Sequence, residues 1–585
     1  MNLTDQMMQR IQQVVFQCFG ISGGGLKIGT PPNAAMGDVA VECFSLAKPL
    51  RKSPHLIAGE LAEKIAPDDL IESAAAAGPY INITLTPEGY FGYTCRRMFE
   101  HPPFRPLPGE GDADRMMVEY LSPNTNKPLH LGHVRNGALG MAVSNLQAAA
   151  GRRVVKANLV NDRGVHICKS MLAWQKWGEG ATPESTGKKG DAFVGDWYVR
   201  FTAEAEKDPS LEAEAQAMLR RWEQGDPETL RIWREMNQWV YDGFSETYKK
   251  LGLVFDRFYY ESETYSRGKQ IIDGGLEKGV FTRDEAGNVV FQLPEERFGL
   301  DEKGLPKRVT VLRPDGTSLY VTQDIGTTVL KVTEENLNSC VFVVGSEQVF
   351  HFQCLFAILE ALGFSWAPDC RHLSYGMVYL PDGKMKSREG TVVDADDLIE
   401  NMTELAAGEI RSRDPEGLLG AAEIRERAAK IGVGAVKFYL LRVKPTQDIH
   451  FDPEESISFD GYTGPYCQYA YARIHGILRK ARERGIDDGD AVHRLLGNEE
   501  ERLLAGQLTR FQTTVERAAA EYNPSLVATY LFDTAKMFNQ FYNKHSVIHA
   551  ETAALKADRL SLTAATAEVL KKGLELLNIE VLERM

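Results

Sequence analysis

One stretch of sequence, SPNTNKPLHLGHVRN from Ser122 to Asn136, constrains the fold of this chain more than any other. A strand-like run, Met116 to Tyr120, precedes it, and a run with apolar residues at helical spacing, Val134 to Gln147, follows it. The sequence therefore predicts a strand, a turn and a helix, with His130 and His133 where the helix begins. Imidazole donors beside the free N–H groups and partial positive charge of a helix N-terminus predict a phosphate site.

A second buried strand, Val154 to Val160, follows the helix and ends in the polar sequence Asn161 to Gly164. Strand, helix and strand in this order, with ligand groups at the strand ends, predict an α/β fold with a Rossmann-like, doubly wound parallel sheet that builds a nucleotide site. The first strand is not followed by a GxGxxG pattern, and the chain has no GxxxxGK[ST] pattern. These absences disfavour a dinucleotide-dependent dehydrogenase and a P-loop enzyme.

The chain has 585 residues and a net charge of −14. Its length predicts several domains, because single hydrophobic cores stop growing at roughly 250–300 residues. Its charge argues against a protein that coats nucleic acid without selectivity, yet permits binding of a particular nucleic acid through a local basic surface. The eight cysteines show no CxxC spacing, which favours reduced thiols in a cytosolic protein over a zinc or redox site. No apolar run approaches the roughly 18 residues that a membrane helix needs.

Changes of pattern divide the chain into four parts. Residues 1–105 show an α/β pattern, and a proline-rich linker separates them from a nucleotide-binding domain at 112–400. Within that domain, residues from about 168 to 265 have helical periodicity and predict an inserted helical subdomain. A helical connector at 401–458 leads to an all-helical C-terminal domain at 459–585.

A lysine-rich loop, KMKSREG at 384–390, follows the glycine-bearing turn at 381–383. Lysine ammonium groups can neutralise the charge that develops on phosphates during nucleotidyl transfer. Lys384 and Lys386 are therefore candidates to contact a phosphate group. A surface loop of solvated lysines is the alternative interpretation.

Both segments resemble signature motifs of class I aminoacyl-tRNA synthetases. The pattern SPNxxKPLHxGHxR is similar to the HIGH motif in its arginyl-tRNA synthetase version, and the lysine-rich loop is similar to the KMSKS loop. Ser387 stands where the family has its second lysine, and Lys386 lies one position earlier. Lys127, three residues before His130, occupies a position at which arginyl enzymes with an altered loop carry a compensating lysine. The resemblance leaves open whether Lys127 or Lys386 supplies the second phosphate-binding lysine.

The resemblance covers essentially the full chain and implies an arginine–tRNA ligase. Such an enzyme forms arginyl-adenylate from L-arginine and ATP, and then transfers arginine to the terminal adenosine of its cognate tRNA. The implied cofactors are ATP and the Mg²⁺ that accompanies it, with no dedicated protein metal site. The resemblance also implies that residues 1–105 contact the tRNA elbow and residues 459–585 the anticodon. We expect a monomeric, cytoplasmic protein that does not associate with membranes.

The residues of the amino-acid pocket indicate which amino acid is bound more specifically than the two signature motifs do. A guanidinium is a planar fork of donors that pairs with a carboxylate in bidentate geometry. Glu119 lies at the end of the first strand, and Tyr320 and Asp324 share one face if their stretch is helical. These residues resemble the arginine-contacting residues of the family. The segment Gly376 to Val378 resembles the backbone that meets adenine.

The predicted site consists of three sets of residues. The catalytic set is His130, His133, Lys127 and Lys384. The ATP-binding set is Pro123, Gly132, His133, Gly376, Met377, Val378, Lys384 and Lys386. The set that binds arginine is Glu119, Ser122, Asn124, Tyr320, Asp324 and Gln348.

Three other classes of protein share part of this pattern. A smaller nucleotidyltransferase shares only the HxGH element, and a cysteinyl enzyme would need zinc ligands that the sequence lacks. A non-catalytic RNA-binding or regulatory protein built on a synthetase fold is the remaining alternative. Such a protein should have lost the HxGH histidines or the guanidinium acceptors, and this chain keeps both.

Overall fold

The computed structural model describes residues 3–32, 36–105, 114–380, 383–384, 393–414, 418–489 and 491–585. The chain forms two compact units. The first combines the two ends of the chain and consists of Met1–Pro108, Ser458–Glu521 and Leu526–Met585. The second consists of Gly109–Ile457 and Tyr522–Ser525.

The N-terminal part of the first unit is a four-stranded antiparallel sheet with helices. The strands are β1 (Lys27–Gly29), β2 (Val39–Glu42), β3 (Ile71–Ala77) and β4 (Tyr80–Leu85). They pair in the order β1-β2-β4-β3. The helices are α1 (Leu3–Phe19), α2 (Phe44–Leu50), α3 (Pro54–Lys64) and α4 (Pro87–Cys95). The apolar residues of α1 recur at helical spacing and are buried, as an amphipathic helix requires.

The second unit is built on a parallel sheet. Its strands are β5 (Arg115–Glu119), β6 (Arg153–Val160), β7 (Arg257–Tyr260), β8 (Thr282–Arg283), β9 (Val289–Gln292), β10 (Arg308–Leu312), β11 (Ser339–Gly345), β12 (Arg371–Tyr375), β13 (Val378–Leu380), β14 (Gly383–Lys384) and β15 (Ile449–His450). Five of them form a parallel sheet in the order β12-β11-β5-β6-β7. The chain moves from β5 outward through β6 and β7, and then returns to place β11 on the other side of β5. The strand order therefore reverses between β5 and β11, which is where such sheets bind ligands at their carboxyl ends.

Helices cover this sheet and extend from it. They are α5 (Leu131–Ala149), α6 (Val165–Trp177), α7 (Pro183–Thr186), α8 (Gly190–Ala205), α9 (Ser210–Glu223), α10 (Pro227–Lys250), α11 (Glu261–Thr264), α12 (Arg267–Glu277), α13 (Glu295–Phe298), α14 (Tyr320–Glu335), α15 (Val349–Ala361), α16 (Ala395–Arg413), α17 (Ala421–Leu441) and α18 (Pro453–Ile457). Successive β5 residues Met116, Met117 and Val118 are all buried, so both faces of the sheet are covered. The predicted α/β class, with its parallel sheet, is confirmed.

The inserted helices end earlier than the sequence pattern indicated. The helical run from α6 through α10 stops at Lys250, and β7 then joins the edge of the central sheet beside β6. The predicted insertion, about 168–265, therefore included a sheet strand. The strand is only four residues long, Arg-Phe-Tyr-Tyr, and its first two residues are exposed. It therefore lacks the alternation of apolar and polar residues that marks a half-buried strand.

The C-terminal part of the chain is helical. Its helices are α19 (Gly464–Glu483), α20 (Glu499–Thr509), α21 (Phe511–Glu521), α22 (Ser525–Lys544) and α23 (Ala553–Leu576). This agrees with the predicted helical C-terminal domain. Among the helices of the described residues, none is both long enough and apolar enough to cross a bilayer.

Candidate active site

A cavity of about 450 Å³ opens beside the carboxyl ends of β5 and β11, where the strand order reverses. Most of the predicted site residues line it, although they come from distant parts of the sequence. The lining residues from the predicted sets are Glu119, Ser122, Asn124, Lys127, His130, Gly132, His133, Tyr320, Asp324, Gln348, Gly376, Met377 and Val378. The exceptions are Pro123, Lys384 and Lys386.

Pro123 does not line the cavity. Its carbonyl accepts a hydrogen bond from the N–H of Asn161, at 2.9 Å, beyond the end of β6. Proline has no N–H, so this bond uses the one polar backbone group that the residue has. Pro123 therefore holds the loop to the sheet, and its contact with ATP stays a prediction.

The turn between β5 and the histidines is strained. Leu121 and Ser122 have φ angles of 80° and 46°, in the left-handed region that side chains other than glycine rarely adopt. Two buried asparagines stabilise this turn. The N–H of Leu121 donates to Oδ1 of Asn136 at 2.6 Å, and the N–H of Ser122 donates to Oδ1 of Asn158 at 3.2 Å. Strain held in place by buried partners is common where a backbone must present a ligand site.

The two histidines cap the helix that they begin. His130 is the N-cap of α5, and its Nδ1 accepts the N–H of Gly132 at 3.2 Å. In return, the N–H of His130 donates to Nδ1 of His133 at 3.1 Å. A Cβ at Gly132 would lie 3.0 Å from the His130 ring, so a glycine is suited to this position.

The helix N-terminus does not offer the free N–H groups that the sequence predicted. The N–H of Leu131 donates to the carbonyl of Val393, that of Gly132 to the His130 ring, and that of His133 to the His130 carbonyl. Sequence alone does not show that residues 393–395 return to this turn and take the first of these donors. Attraction for phosphate therefore depends on the imidazoles, the helix dipole and nearby cations.

The protonation state of both imidazoles follows from these bonds. A ring nitrogen that accepts a hydrogen bond carries no proton, so each neutral imidazole bears its proton on Nε2. Burial, together with the charge of Lys127, lowers the pKa of His130 to about 3. Burial, with His130 and Lys127 nearby, holds the pKa of His133 well below its usual value. Both rings are therefore neutral at physiological pH, and each has one Nε2–H donor.

Lys127 lies beside these rings, and burial lowers the pKa of its own ammonium. Of the predicted lysine-rich loop, only the backbone of Lys384 lies in the described residues. Lys384 lies in β14, which pairs with β13, but its side chain and the whole of Lys386 lie outside the described residues. At the far end of the loop, the N–H of Ala395 donates to the carbonyl of Leu129 at 2.9 Å. Residues 393–395, which follow the loop in sequence, thus lie beside the histidine turn.

Glu119 is buried at the end of β5, where the sequence placed a guanidinium acceptor. Its Oε2 already pairs with the ammonium of Lys331, a residue of α14 that is only 1% exposed. Within the described residues, Oε1 of Glu119 has no recorded hydrogen-bond donor. One oxygen of this carboxylate therefore remains for a ligand.

Asp324 also lines the cavity and has a similar arrangement. Its Oδ2 hydrogen-bonds with Nε2 of His351 at 2.6 Å. The stretch that contains Tyr320 and Asp324 is helical, so the two side chains do share one face. The negative charge of Asp324 raises the pKa of Tyr320, which keeps the phenol protonated. The Tyr320 ring packs against His351 with the ring centroids 4.9 Å apart.

The segment Gly376 to Val378 forms another wall of the cavity. The N–H of Gly376 donates to the carbonyl of Pro445 at 3.0 Å, and that of Met377 donates to Oδ1 of Asp448 at 2.7 Å. A Cβ at Gly376 would come within 2.5 Å of the same Asp448 oxygen. Glycine is therefore required at this close approach, and the segment is held firmly against the connector.

Sequence reasoning missed several residues that shape this site. The most important are Lys331, which pairs with Glu119, and the two asparagines that hold the strained turn. Lys331 and Asn158 are separated from their partners by 212 and 36 residues. The neighbours of Lys331 on the same helix face include Thr327, Thr328 and Glu335, so no apolar pattern singled Lys331 out. Asn136 was visible as the last residue of the opening motif.

Comparisons with known proteins place this geometry in a family. The family model described as class I tRNA synthetases (R), catalytic domain, matches residues 108–453. The chain belongs to the arginyl-tRNA synthetase family. The model of the arginyl-tRNA synthetase N-terminal domain matches residues 2–85, and that of the DALR anticodon binding domain matches residues 467–585.

Individual arginyl-tRNA synthetases are similar in sequence to this chain over nearly its whole length. The chain is 44% identical over 575 residues to a protein of Parabacteroides distasonis named arginine–tRNA ligase, with 94% of each chain covered. It is 44% identical over 569 residues to a protein of the same name from Treponema denticola, with coverage of 96% and 95%. The solved Thermus thermophilus arginyl-tRNA synthetase superposes with a TM-score of 0.82, at 28% identity and complete coverage of both chains.

Proposed function

We propose that this protein ligates L-arginine to its cognate tRNA for protein synthesis. In the first step arginine and ATP form arginyl-adenylate and pyrophosphate, and in the second the arginyl group passes to the terminal adenosine of the tRNA and AMP leaves. One observation carries the proposal. A single cavity is lined by two neutral imidazole donors, a lysine and two carboxylates, each of which has one oxygen that no donor of the described residues engages.

The first step needs positioning more than acid–base chemistry. The carboxylate of arginine is already ionised, and it displaces pyrophosphate by attack on the α-phosphorus of ATP. No general base or covalent enzyme group is required, so catalysis consists of alignment and of stabilising charge on the phosphates. The Nε2–H groups of His130 and His133 and the ammonium of Lys127 are the donors that we assign to this task, together with Lys384 from the loop.

Arginine binds, in this proposal, between Glu119 and Asp324. Each carboxylate has one oxygen engaged by the protein, so the two offer one oxygen each rather than one bidentate pair. A guanidinium presents parallel N–H groups that can reach two such acceptors at once. Tyr320, Gln348, Asn124 and Ser122 complete the pocket as polar neighbours.

The adenine of ATP is proposed to meet the segment Gly376 to Val378. The backbone N–H and carbonyl groups of Gly376 and Met377 are all engaged within the protein. We therefore assign backbone recognition to Val378, and packing contacts to Gly376, Met377 and Gly132. Lys386 remains a proposed phosphate ligand from the loop.

Mg²⁺ is proposed to enter with ATP. In the part of the chain that the structure describes, no group of three His, Cys, Asp or Glu side chains is arranged to hold a metal. The phosphate end of the cavity instead carries imidazoles and a lysine. Bound to ATP, the ion would neutralise charge on the phosphate oxygens.

The other domains, the oligomeric state and the cellular location complete the proposal. We propose that residues 1–105 bind the tRNA elbow, that residues 112–400 catalyse, and that residues 459–585 bind the anticodon, with 401–458 as connector. The family-model matches over the two end regions support these roles. We also propose a monomer in the cytoplasm, where the eight free cysteines would stay reduced.

The test of the function is charging of total tRNA with each amino acid supplied singly. We expect ATP-dependent attachment of arginine and of no other amino acid. Lysine should be rejected because an ammonium is a point charge and cannot satisfy two acceptors placed for a planar fork. Charging with a different amino acid, or none at all, would refute the proposal.

The contributions of Lys127 and Lys386 to arginine activation can be compared by mutation. If Lys127 supplies the charge displaced from the loop, Lys127→Ala should slow arginine activation more than Lys386→Ala does. The reason is that Lys127 lies beside both imidazoles in the cavity. Pre-steady-state activation assays of the two variants provide the measurement. The opposite ranking would assign the role to Lys386.

Activation should also depend on tRNA. The family resemblance implies that ATP–pyrophosphate exchange is silent with arginine and ATP alone and appears when cognate tRNA is added. Exchange is to be measured with and without tRNA. Full-rate exchange without tRNA would contradict this expectation.

A further inference from the structure

Arg135 lies two residues after His133 in the same helix and is one of the most deeply buried side chains of the protein, at 1% exposed. Its hydrogen-bond partners are backbone carbonyls. Nη1 donates to the carbonyls of Gly376 and Met377 at 2.7 and 3.1 Å. Nη2 donates to those of Pro445 and Gln447 at 2.9 and 2.6 Å. The Tyr375 ring lies 5.8 Å from the guanidinium.

A buried cation held in this way is unfavourable for stability alone. Burial lowers the pKa of Arg135 to about 10, even though Tyr375 and Asp448 raise it. An apolar side chain of similar size would avoid that desolvation penalty. The guanidinium does what an apolar side chain cannot, because its planar fork fixes several carbonyls at once in one geometry.

The four carbonyls belong to two segments that shape the ATP end of the cavity. Gly376 and Met377 form the wall that we assign to adenine. Pro445 and Gln447 lead into β15, which pairs with β13 immediately after that wall. β13 in turn leads to β14, where Lys384 begins the lysine-rich loop. One side chain on the histidine helix therefore holds both segments.

We propose that Arg135 is a positioning residue for ATP. It sets the separation between the adenine wall and the imidazoles, so that one ATP molecule reaches both at once. This inference rests on the proposed function, because it takes the segment Gly376 to Val378 as the adenine site. Arg135 and the four carbonyls that it binds form a junction between the histidine helix and these two segments. Among the described residues, the hydrogen bonds of Glu119 and Asp324, the proposed arginine ligands, go to Lys331 and His351 and not to this junction, so the affinity for arginine should not depend on Arg135.

Two substitutions disturb the junction from opposite sides. Arg135→Lys keeps the charge but replaces a fork of five donors by a single nitrogen, which cannot span four carbonyls. Gly376→Ala keeps Arg135 and instead places a methyl group within 2.5 Å of the Asp448 carboxylate. Arg231→Lys is the matched control, since Arg231 lies exposed on the inserted helix α10.

The experiment measures binding of ATP, arginine and pyrophosphate to the full-length protein by calorimetry, with thermal unfolding recorded in parallel. We expect both junction variants to bind ATP about ten- to a hundredfold more weakly, the loss typical of a misplacement near 1 Å. Arginine and pyrophosphate affinities should stay within about threefold of the wild type, and the control should match it throughout.

Three results would overturn or redirect the inference. Wild-type ATP affinity in Arg135→Lys, or in Gly376→Ala if the first variant does not fold, would refute the positioning role. Equal losses for ATP, arginine and pyrophosphate would also refute it, because they would show a general structural role. A wild-type protein that bound no ATP would refute the proposed function itself, which separates the two failures.

Discussion

Asp324→Asn should lower kcat/KM for arginine by two or more orders of magnitude while leaving the affinity for ATP nearly unchanged. The substitution keeps the size of the side chain and removes one of the two negative charges that face the guanidinium. Breaking one side of a buried, charge-assisted pair costs about 3–5 kcal/mol, because the other charge remains without its partner. An asparagine oxygen can still bond to His351, so the wall itself should persist.

The measurement is a separate titration of arginine and of ATP with the Asp324→Asn protein. Glu334→Gln is the matched control, because it makes the same change of charge at an exposed position of the same helix, α14. An unchanged arginine constant would show that Asp324 is not a guanidinium ligand. An equal loss for ATP would show that the pocket has been assigned to the wrong substrate.

Alanine in place of His130 or His133 should slow adenylate formation by roughly two orders of magnitude, since losing one donor to transition-state charge costs about 3 kcal/mol. Arginine binding should change far less, because the imidazoles lie at the phosphate side of the cavity. Single-turnover formation of arginyl-adenylate, at saturating tRNA, gives the rate. Near-normal rates in both variants would remove the histidines from the mechanism.

Because His133 also caps helix α5, a second pair of variants is needed to separate capping from charge stabilisation. His133→Ala also removes the acceptor for the N–H of His130, and loss of such a cap costs about 0.5–2 kcal/mol of stability. His133→Asn can restore a cap acceptor without a donor at the Nε2 position, and His133→Gln can place an amide N–H near that position. If charge stabilisation matters, the glutamine variant should be faster than the asparagine variant. Exposed His55→Ala provides a matched control.

Much of the fold followed from local patterns in the sequence. The strand, turn and helix around the HxGH motif were predicted because apolar periodicity changes within a few residues, and the parallel sheet followed from the order of those elements. The extent of the inserted helices was not predicted correctly. β7 is a short edge strand whose place is fixed by pairing with β6, a contact made across about a hundred residues of chain.

The part of the site that lies in one short motif could be predicted from the sequence. Contacts between residues that are far apart in the sequence could not. The histidines and the acidic residues could be named from the sequence. The Lys331 partner of Glu119 could not, because helix α14 meets the end of β5 only after the sheet has assembled. The occupied N–H groups of α5 were also missed, since one acceptor comes from Val393. Contacts of this kind have no local signal.

The described segments that flank the lysine-rich loop are both anchored by residues that lie outside the loop. On the side before the loop, β13 follows Gly376 and Met377, whose carbonyls Arg135 binds. On the side after the loop, residues 393–395 bond to Leu129 and Leu131 beside the histidines. The segments on both sides of residues 384–390 are thus anchored by bonds that residues outside the loop make. We therefore expect that the loop sequence can change without a new folding solution, and that loops of equal length from other synthetases are candidates for grafting into this scaffold.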